Sequence, residues 1–155
     1  MNKETLLASE LALIEDEVDV IANLANLSAL LNQYFQDINW VGFYLYKEEQ
    51  CILGPFQGKP ACIRIPLTKG VCGKAATSKK LQNIPDVHQF PGHVACDEAS
   101  RSEIVVPILV HNQLFALLDI DSPSLNRFTL EDEEVLAAFV LQLEKHLEKN
   151  FISEV

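Results

Sequence analysis

Three cysteines in the middle of the chain are the residues best suited to covalent chemistry. Cys62, Cys72 and Cys96 all fall in a segment punctuated by Gly and Pro, where loops are expected. Loops tolerate exposure, and an exposed thiol that ionises is both a nucleophile and a target of oxidation. If these thiols meet over one pocket, one can be oxidised and another can form a disulfide with it. Their spacing does not show that they meet, so buried and inert cysteines are the alternative.

Acidic residues form a second group of candidates. Asp119 and Asp121 alternate with Ile120 at the end of an apolar strand, so both carboxylates point to one face of the sheet. Such a pair is suited to hold an ammonium group or a divalent ion, although a solvent-facing strand end or a plain turn would carry the same residues. Glu103 opens the preceding strand and can reach the same cavity. Burial beside other carboxylates would raise its pKa and keep it protonated, as a general acid requires.

Helices are expected at both ends of the chain, where they would support these residues. Apolar side chains recur at three- and four-residue steps through residues 3–35, and an acidic run at 15–19 divides this region into two helices. A similar apolar stripe runs through residues 129–149. Thr129, followed by Asp132, has the spacing of a capping box and marks the start of this last helix.

Between the helices, residues 39–122 have the pattern of a sheet with a pocket over it. The expected strands lie at 40–46, 51–53, 81–84, 103–110 and 114–121, and polar turns join the second strand to the first and the fifth to the fourth. The segment 54–102 is expected to be mostly loop, with one short helix near 71–78. A loop region of this length inside a compact domain usually serves as a lid or a binding wall.

These elements together predict one α+β domain over residues 1–155, with a central antiparallel sheet. The N- and C-terminal helices would cover one face of the sheet. The loops and the short helix would cover the other face and enclose a pocket for a small molecule.

The charge balance argues against several classes of partner. Lys and Arg number 12 and Asp and Glu number 22, which gives a net charge of −10 and a pI near 4.7. Such an acidic surface repels nucleic acid and anionic membranes, so neither is expected as a partner. The sequence contains neither a long apolar run nor a signal-like N-terminus, which predicts a cytoplasmic protein.

Four cysteines in a chain of this size do not make a disulfide scaffold. Cys51 lies in an apolar strand and is interpreted as structural. No Cys-x-x-Cys pair and no Cys/His cluster at zinc-finger spacing occurs, so no structural metal site is expected. His88 and His93 are interpreted as loop surface residues rather than bases.

A set of short motifs gives the sequence a specific resemblance. They are Asn-Trp-Val-Gly-Phe-Tyr at 39–44, Leu-Gly-Pro-Phe-Gln-Gly at 53–58, Ala-Cys-Ile-Arg-Ile-Pro at 61–66, Gly-Val-Cys-Gly at 70–73, Pro-Asp-Val-His at 85–88, His-Val-Ala-Cys-Asp at 93–97, Ser-Arg-Ser-Glu-Ile-Val-Val-Pro at 100–107, Leu-Asp-Ile-Asp-Ser at 118–122 and Arg-Phe-Thr at 127–129. With them, residues 39–147 closely resemble the free methionine-(R)-sulfoxide reductases, which are built on a single GAF domain. Ordinary GAF domains share the sheet but lack this set of cysteines.

The resemblance implies a role for each cysteine of the loop-rich segment. Cys96 matches the family's catalytic nucleophile and Cys62 its usual resolving cysteine, while Cys72 matches a third cysteine that can also pair with the nucleophile. Glu103 matches the acid that contacts the sulfoxide oxygen. The implied reaction reduces free methionine-(R)-sulfoxide through a Cys96 sulfenic acid, and thioredoxin then reduces an intramolecular disulfide.

The resemblance also implies a substrate-binding site. Asp119 and Asp121 match carboxylates that bind the substrate, including its ammonium group. Trp40 matches an aromatic wall around the methyl end, and Tyr44 is expected to line the same pocket. The implied chemistry needs no metal and no organic cofactor. We also expect a homodimer, with the N-terminal helices as its seam.

Two rival hypotheses come from other classes of protein. A GAF-type binding module would sense a small ligand or oxidants without turnover, although 155 residues leave little room for a second signalling domain. A metal-site protein is the second rival. For the reductase, the negative charge of the pocket disfavours the Cys96 thiolate, and Arg101, a backbone N–H or the substrate's ammonium group are candidates for offsetting it.

Overall fold

Four α-helices, one short 3-10 helix (Val87–Gln89) and six strands are the regular elements in the part of the chain that the computed structural model describes, residues 1–93 and 96–150. The helices are α1 (Lys3–Ile14), α2 (Val20–Tyr34), α3 (Gly70–Ser78) and α4 (Leu130–Asn150). The strands are β1 (Trp40–Lys47), β2 (Gln50–Gly58), β3 (Arg64–Pro66), β4 (Gln82–Ile84), β5 (Ser102–Val110) and β6 (Gln113–Ser122). Val94 and Ala95 of the motif at 93–97, and residues 151–155 of the expected domain, lie outside the described residues.

Side-chain caps set the start of the helices that flank the sheet. The Asp19 carboxylate accepts a hydrogen bond from the Ala22 backbone N–H at 2.9 Å and so begins α2 just after the acidic run. Before α4, the Thr129 hydroxyl accepts from the Asp132 N–H at 3.1 Å, while the Asp132 carboxylate accepts from the Thr129 N–H at 2.9 Å. The predicted capping box is therefore confirmed, as is the division of the N-terminal region into two helices.

The strands pair antiparallel in the order β3-β2-β1-β6-β5-β4, and both predicted hairpins are present. The chain beyond Leu53 was expected to be mostly loop, and this was wrong at two places: β2 continues to Gly58, and Arg64–Pro66 form β3. Gly54 and Pro55 stand together opposite Phe43, where the register of the β1–β2 pair shifts. A bulge of this kind tolerates Gly and Pro, so the strand resumes its pairing beyond it.

Alternation along the strands separates two apolar layers. In β1, Val41 and Phe43 pack with α1, α2 and α4 in the larger core, while Trp40 and Tyr44 belong to a second cluster on the opposite face. Helix α3 contributes Cys72 and its neighbours to this second cluster. The predicted fold class is confirmed: the terminal helices cover one face, and α3 with the loops covers the other. In the described part of the chain, no helix has the length and apolar character to cross a membrane.

Candidate active site

A pocket lies on the face of the sheet that α3 and the loops cover. It is lined by seven of the eight site residues that the sequence predicts, namely Trp40, Tyr44, Cys72, Cys96, Glu103, Asp119 and Asp121. The eighth predicted residue, Cys62, is bonded to Cys96. The rest of the lining comes from Pro60, Ala61, Ile65, Gly70, Val71, His93, Asp97 and Ser100.

Strand register explains why residues far apart in the sequence meet here. Asp121 of β6 lies opposite Trp40 of β1 and opposite Glu103 of β5, so the three residues form one row across the sheet. Asp119 lies two residues earlier on β6 and occupies the next row on the same face. The prediction that both aspartates share a face with Glu103 is therefore confirmed.

The carboxyl groups of Glu103, Asp119 and Asp121 are largely shielded from solvent. Glu103 is 8% exposed and Asp119 5% exposed. Burial raises the pKa of all three groups well above the ordinary value. The charge of a neighbouring carboxylate raises each pKa further. This neighbour is Asp119 for Glu103, Asp121 for Asp119 and Glu103 for Asp121. Because each carboxyl group raises the pKa of a neighbour, the protonation of the three groups is coupled. The Oδ1 atom of Asp119 is buried with no hydrogen-bond partner among the described residues.

The cysteines have two distinct environments. Cys62, just before β3, and Cys96, in the loop before β5, form a disulfide with their Cα atoms 5.4 Å apart. Cys72 is a buried free thiol on α3, in the short helix that the sequence predicts near 71–78. Burial raises the pKa of Cys72 well above its usual value, and the charge of Asp119 raises it further. Cys51 is buried in β2, where burial raises its pKa to about 11, in keeping with a structural role.

Stacked aromatic rings form one wall of the pocket. The Trp40 ring stacks on Tyr44 at 5.8 Å and on Phe56 at 5.1 Å between ring centroids. Both polar tips reach the loop that joins β2 to β3: Trp40 Nε1 donates to the Lys59 carbonyl oxygen at 3.2 Å, and the Tyr44 hydroxyl donates to the Cys62 carbonyl oxygen at 3.0 Å. Burial, and then the nearby carboxylates, raises the pKa of Tyr44, so its hydroxyl keeps the proton that it donates.

Residues around the loop that follows Cys96 were not assigned a role from the sequence. Asn39 donates from Nδ2 to Asp97 Oδ2 and to Ser100 Oγ, each at 3.0 Å, and so ties this loop to the start of β1. A hydrogen bond from the Ala99 N–H, and then the one from Asn39, lowers the pKa of Asp97. Asn39 and Asp97 both lie in motifs that the sequence analysis identified. Their contact joins distant parts of the chain, so no local sequence pattern could predict it.

His93 differs from its expected place on the surface, because its half-buried side chain lines the pocket. Burial lowers the pKa of His93, and the neighbouring His88 ring, 6.2 Å away, lowers it further. His88 itself is 63% exposed and lies 3.4 Å from the Asp86 carboxylate, as a surface residue would. Arg101, a candidate for offsetting the charge of the pocket, is exposed and is not part of the lining.

One group in the pocket has the composition of a metal site. Cys72, Glu103 and Asp119 each offer a ligand atom, and these atoms lie within 4.8 Å of one another. Spacing rules could not reveal this group, because its members come from one helix and two strands. All three residues also line the pocket, so a metal ion and a small molecule would compete for the same space.

The antiparallel sheet with helices on one face and a loop-covered pocket on the other defines a GAF domain, and the GAF domain family model matches residues 12–147. The chain is 55% identical to the free methionine-R-sulfoxide reductase of Escherichia coli over 136 residues, which is 88% of this chain and 82% of that protein. It is 44% identical to the protein of the same name from Saccharomyces cerevisiae over 141 residues, 86% of this chain and 78% of that one.

Solved structures agree with this relationship. The structure of fRMsr of Staphylococcus aureus in its reduced form has a TM-score of 0.92 and 52% identity, and covers 94% of this chain and 95% of its own. The structure of the same protein in complex with substrate has a TM-score of 0.90. The chain therefore belongs to the free methionine-R-sulfoxide reductase family of GAF-domain proteins, and the resemblance found in the sequence is confirmed.

Proposed function

We propose that this protein reduces free L-methionine-(R)-S-oxide to L-methionine, with Cys96 as the nucleophile. The observation that carries the proposal is the Cys62–Cys96 disulfide at a pocket lined by buried carboxyl groups. A redox-active sulfur and a protonated acid in one cavity are the two parts that sulfoxide reduction requires. The names of the Escherichia coli and Saccharomyces cerevisiae relatives support the substrate, as does the Staphylococcus aureus structure described as a complex with substrate.

In the first step the Cys96 thiolate attacks the sulfoxide sulfur. The sulfoxide oxygen is a poor leaving group until it is protonated, and Glu103, with its raised pKa, supplies that proton. The bond that this attack forms between the two sulfur atoms then breaks as the protonated oxygen transfers from the substrate's sulfur to the Cys96 sulfur, which leaves a Cys96 sulfenic acid and free methionine. The substrate's sulfur gains the electron pair that Cys96 loses, so the step balances.

In the second step the Cys62 thiol attacks the Cys96 sulfenic sulfur and expels water, which leaves the disulfide. Thioredoxin, an external dithiol, then reduces this disulfide and is itself oxidised. We assign Cys72 as an alternative resolving cysteine, supported by its place in the pocket lining as a free thiol. The scheme needs no metal and no organic cofactor.

Selection of the free amino acid follows from the charge of the pocket. The ammonium group of a free amino acid would form ion pairs with Asp119 and Asp121. It would also donate a hydrogen bond to the Oδ1 atom of Asp119, which has no other partner among the described residues. A peptide-bound methionine has no ammonium group, so it would leave these buried carboxyl groups without a partner, which is costly. Trp40 supplies the apolar wall for the methyl end, and Tyr44 lines the pocket beside it.

The assembly and location belong to the same proposal. Leu11, Leu13, Val18 and Ile21, on or next to the N-terminal helices, have side chains that are 39% to 60% exposed. A second copy of the chain would cover them, so we propose a homodimer with this seam. Reduction by thioredoxin requires a reducing compartment, and this requirement supports a cytoplasmic location. The net charge of −10 continues to argue against nucleic acid and membrane partners.

The function is tested by NADPH consumption coupled through thioredoxin and its reductase. We expect turnover with free methionine-R-sulfoxide and only background rates with the S epimer, with a peptide-bound sulfoxide and with an N-acetylated sulfoxide. Cys96→Ser should abolish methionine formation, while Cys51→Ser, which changes a buried cysteine outside the pocket lining, should retain it.

Two results would contradict the proposal. Equal turnover of all four substrates would remove the selectivity, and methionine formation by Cys96→Ser would remove the nucleophile. Tight binding of a small ligand by the reduced protein, with no turnover and no effect of Cys96→Ser, would instead favour the sensor hypothesis.

A further inference from the structure

The loop that joins β2 to β3, residues 59–63, carries the resolving cysteine and is held at several points. Trp40 Nε1 donates to the Lys59 carbonyl oxygen at 3.2 Å, and the Tyr44 hydroxyl donates to the Cys62 carbonyl oxygen at 3.0 Å. At the far end of the loop, the Leu53 N–H donates to the Ile63 carbonyl oxygen at 2.8 Å. The backbone of Cys62 is therefore attached to the floor of the pocket by a side chain of β1.

The two aromatic side chains that hold the loop are themselves immobilised. Trp40 is 3% and Tyr44 2% exposed, and their rings stack on each other. The chain leaves β2 at Gly58, where φ is +141° and where an added Cβ would lie 2.6 Å from Cδ1 of Trp40. The loop therefore starts in close contact with the Trp40 ring, and the hydroxyl of Tyr44 lies at a defined point above the sheet.

We propose that Tyr44 is a positioning residue for disulfide formation: its hydroxyl holds the Cys62 backbone where the Cys62 sulfur can attack Cys96. This inference rests on the proposed function, in which a Cys96 sulfenic acid and the Cys62 thiol give a disulfide and water. Tyr44 takes no part in the proton or electron transfer. It raises the effective concentration of one thiol at the sulfur of another.

A competing thiol explains why the position of Cys62 matters. Cys72 lines the same pocket and is a free thiol. Its pKa is raised by burial, so little of it is thiolate and it attacks slowly. A loop that is held in place favours Cys62, whereas a loose loop gives Cys72 a larger share of the reaction.

Tyr44→Phe isolates the hydroxyl, because it keeps the ring and its stacking on Trp40. The loss of one such hydrogen bond is expected to slow formation of the Cys62–Cys96 disulfide by about two- to tenfold. The share of Cys72–Cys96 disulfide should rise in the same variant. Tyr46→Phe is the matched control, since Tyr46 lies two residues along β1 and outside the pocket lining.

The experiment follows one turnover of the reduced protein with free methionine-R-sulfoxide and no external reductant. Rapid quenching measures methionine, dimedone traps the Cys96 sulfenic acid, and mass spectrometry identifies the disulfides. We expect Tyr44→Phe to form the Cys62–Cys96 disulfide more slowly than it releases methionine, and so to accumulate more trapped sulfenic acid than the unmodified protein does. Tyr46→Phe should match the unmodified protein in all three.

A second readout does not depend on the sulfoxide. In a glutathione buffer, one oxidised glutathione converts the Cys62 and Cys96 thiols to the disulfide and yields two reduced glutathiones. We expect the equilibrium constant to fall about two- to tenfold in Tyr44→Phe. Trp40→Phe, which removes the other side-chain donor to the loop, should shift it in the same direction. This readout separates the inference from the proposed function, because it holds even if the unmodified protein forms no methionine.

Two outcomes would overturn the inference. The first is an unchanged rate, disulfide partition and glutathione equilibrium in Tyr44→Phe. The second is a fall in methionine release by a folded Tyr44→Phe that accounts for all of the slower disulfide formation, with no additional trapped sulfenic acid, since the hydroxyl would then act in sulfoxide reduction rather than on the loop.

Discussion

At the level of single residues, three neighbouring acids with raised pKa values are the main electrostatic feature of the pocket. Glu103, Asp119 and Asp121 come from two adjacent strands and face one cavity. Burial and mutual repulsion raise the pKa of each group well above its ordinary value. In the proposed reaction, an ammonium group would favour ionised aspartates, while Glu103 would keep a proton for the sulfoxide oxygen. One cluster can therefore provide both substrate binding and general acid catalysis.

Glu103→Gln tests the general acid. The amide has nearly the same shape but no proton to transfer, so the rate of methionine formation should fall about 10²- to 10⁴-fold. Single-turnover quantification of methionine measures the change. Glu98→Gln, an exposed residue of the loop before β5, is the control and should leave the rate unchanged. An undiminished rate in Glu103→Gln would show that another group protonates the oxygen.

Among the elements, the contact between α1 and α4 contains a buried acid far from the pocket. Glu10 is 0% exposed, and Gln142 donates from Nε2 to its Oε1 at 2.6 Å and to the Leu7 carbonyl oxygen at 3.0 Å. Burial raises the pKa of Glu10 to about 8, although the hydrogen bond from Gln142 lowers it in part. The folded protein therefore binds a proton at Glu10 that the unfolded chain releases near its ordinary pKa of 4.5.

Glu10 should make the stability of the helix layer depend on pH. Because its folded pKa is raised, its contribution is fully present below pH 4.5 and is lost as the pH rises through about 8. Each unit of the shift is worth about 1.4 kcal/mol. In urea unfolding compared at about pH 5 and about pH 9, Glu10→Gln should lose less stability with rising pH than the unmodified protein.

The acids of the pocket also make the protein less stable as the pH rises, but they are present in both proteins. The difference in pH dependence between Glu10→Gln and the unmodified protein therefore reports on Glu10 alone. Glu15→Gln, an exposed acid just after α1, should behave as the unmodified protein does. Equal slopes for Glu10→Gln and the unmodified protein would mean that the α1–α4 contact opens to water before the acid ionises.

Over the whole molecule, one covalent bond links two distant parts of the chain above the pocket. Cys62 precedes the edge strand β3, while Cys96 precedes β5 on the other side of β1 and β6. The disulfide closes a loop with a sequence separation of 34 residues. Closing such a loop restricts the unfolded chain, so the oxidised protein should be the more stable form.

The redox state should therefore change the global stability. We expect reduction of the disulfide to lower the free energy of unfolding by about 2–4 kcal/mol. Urea unfolding with and without a reducing agent measures this difference. Cys96→Ser, which removes the sulfur that both Cys62 and Cys72 would pair with, should have the same free energy of unfolding with and without the reducing agent. If the oxidised and reduced proteins are equally stable, the reduced pocket must gain contacts that compensate for the lost bond.

Local patterns were enough for several parts of the fold. Periodicity and capping predicted α4 and its Thr129–Asp132 box, because these contacts lie within one turn of helix. The alternation of side chains along a strand likewise placed Asp119 and Asp121 on one face, because it depends only on neighbouring residues. The extension of β2 past Pro55 could not be predicted, since the bulge depends on pairing with another strand.

The sequence by itself determined the fold class, the motifs and the identity of the candidate side chains, because periodicity and motif spacing are local properties of the chain. Only the tertiary structure decided that Cys62 meets Cys96, that His93 lines the pocket and that Tyr44 holds the Cys62 backbone. These contacts join residues from separate elements. They depend on strand register and loop packing, which no short stretch of sequence encodes.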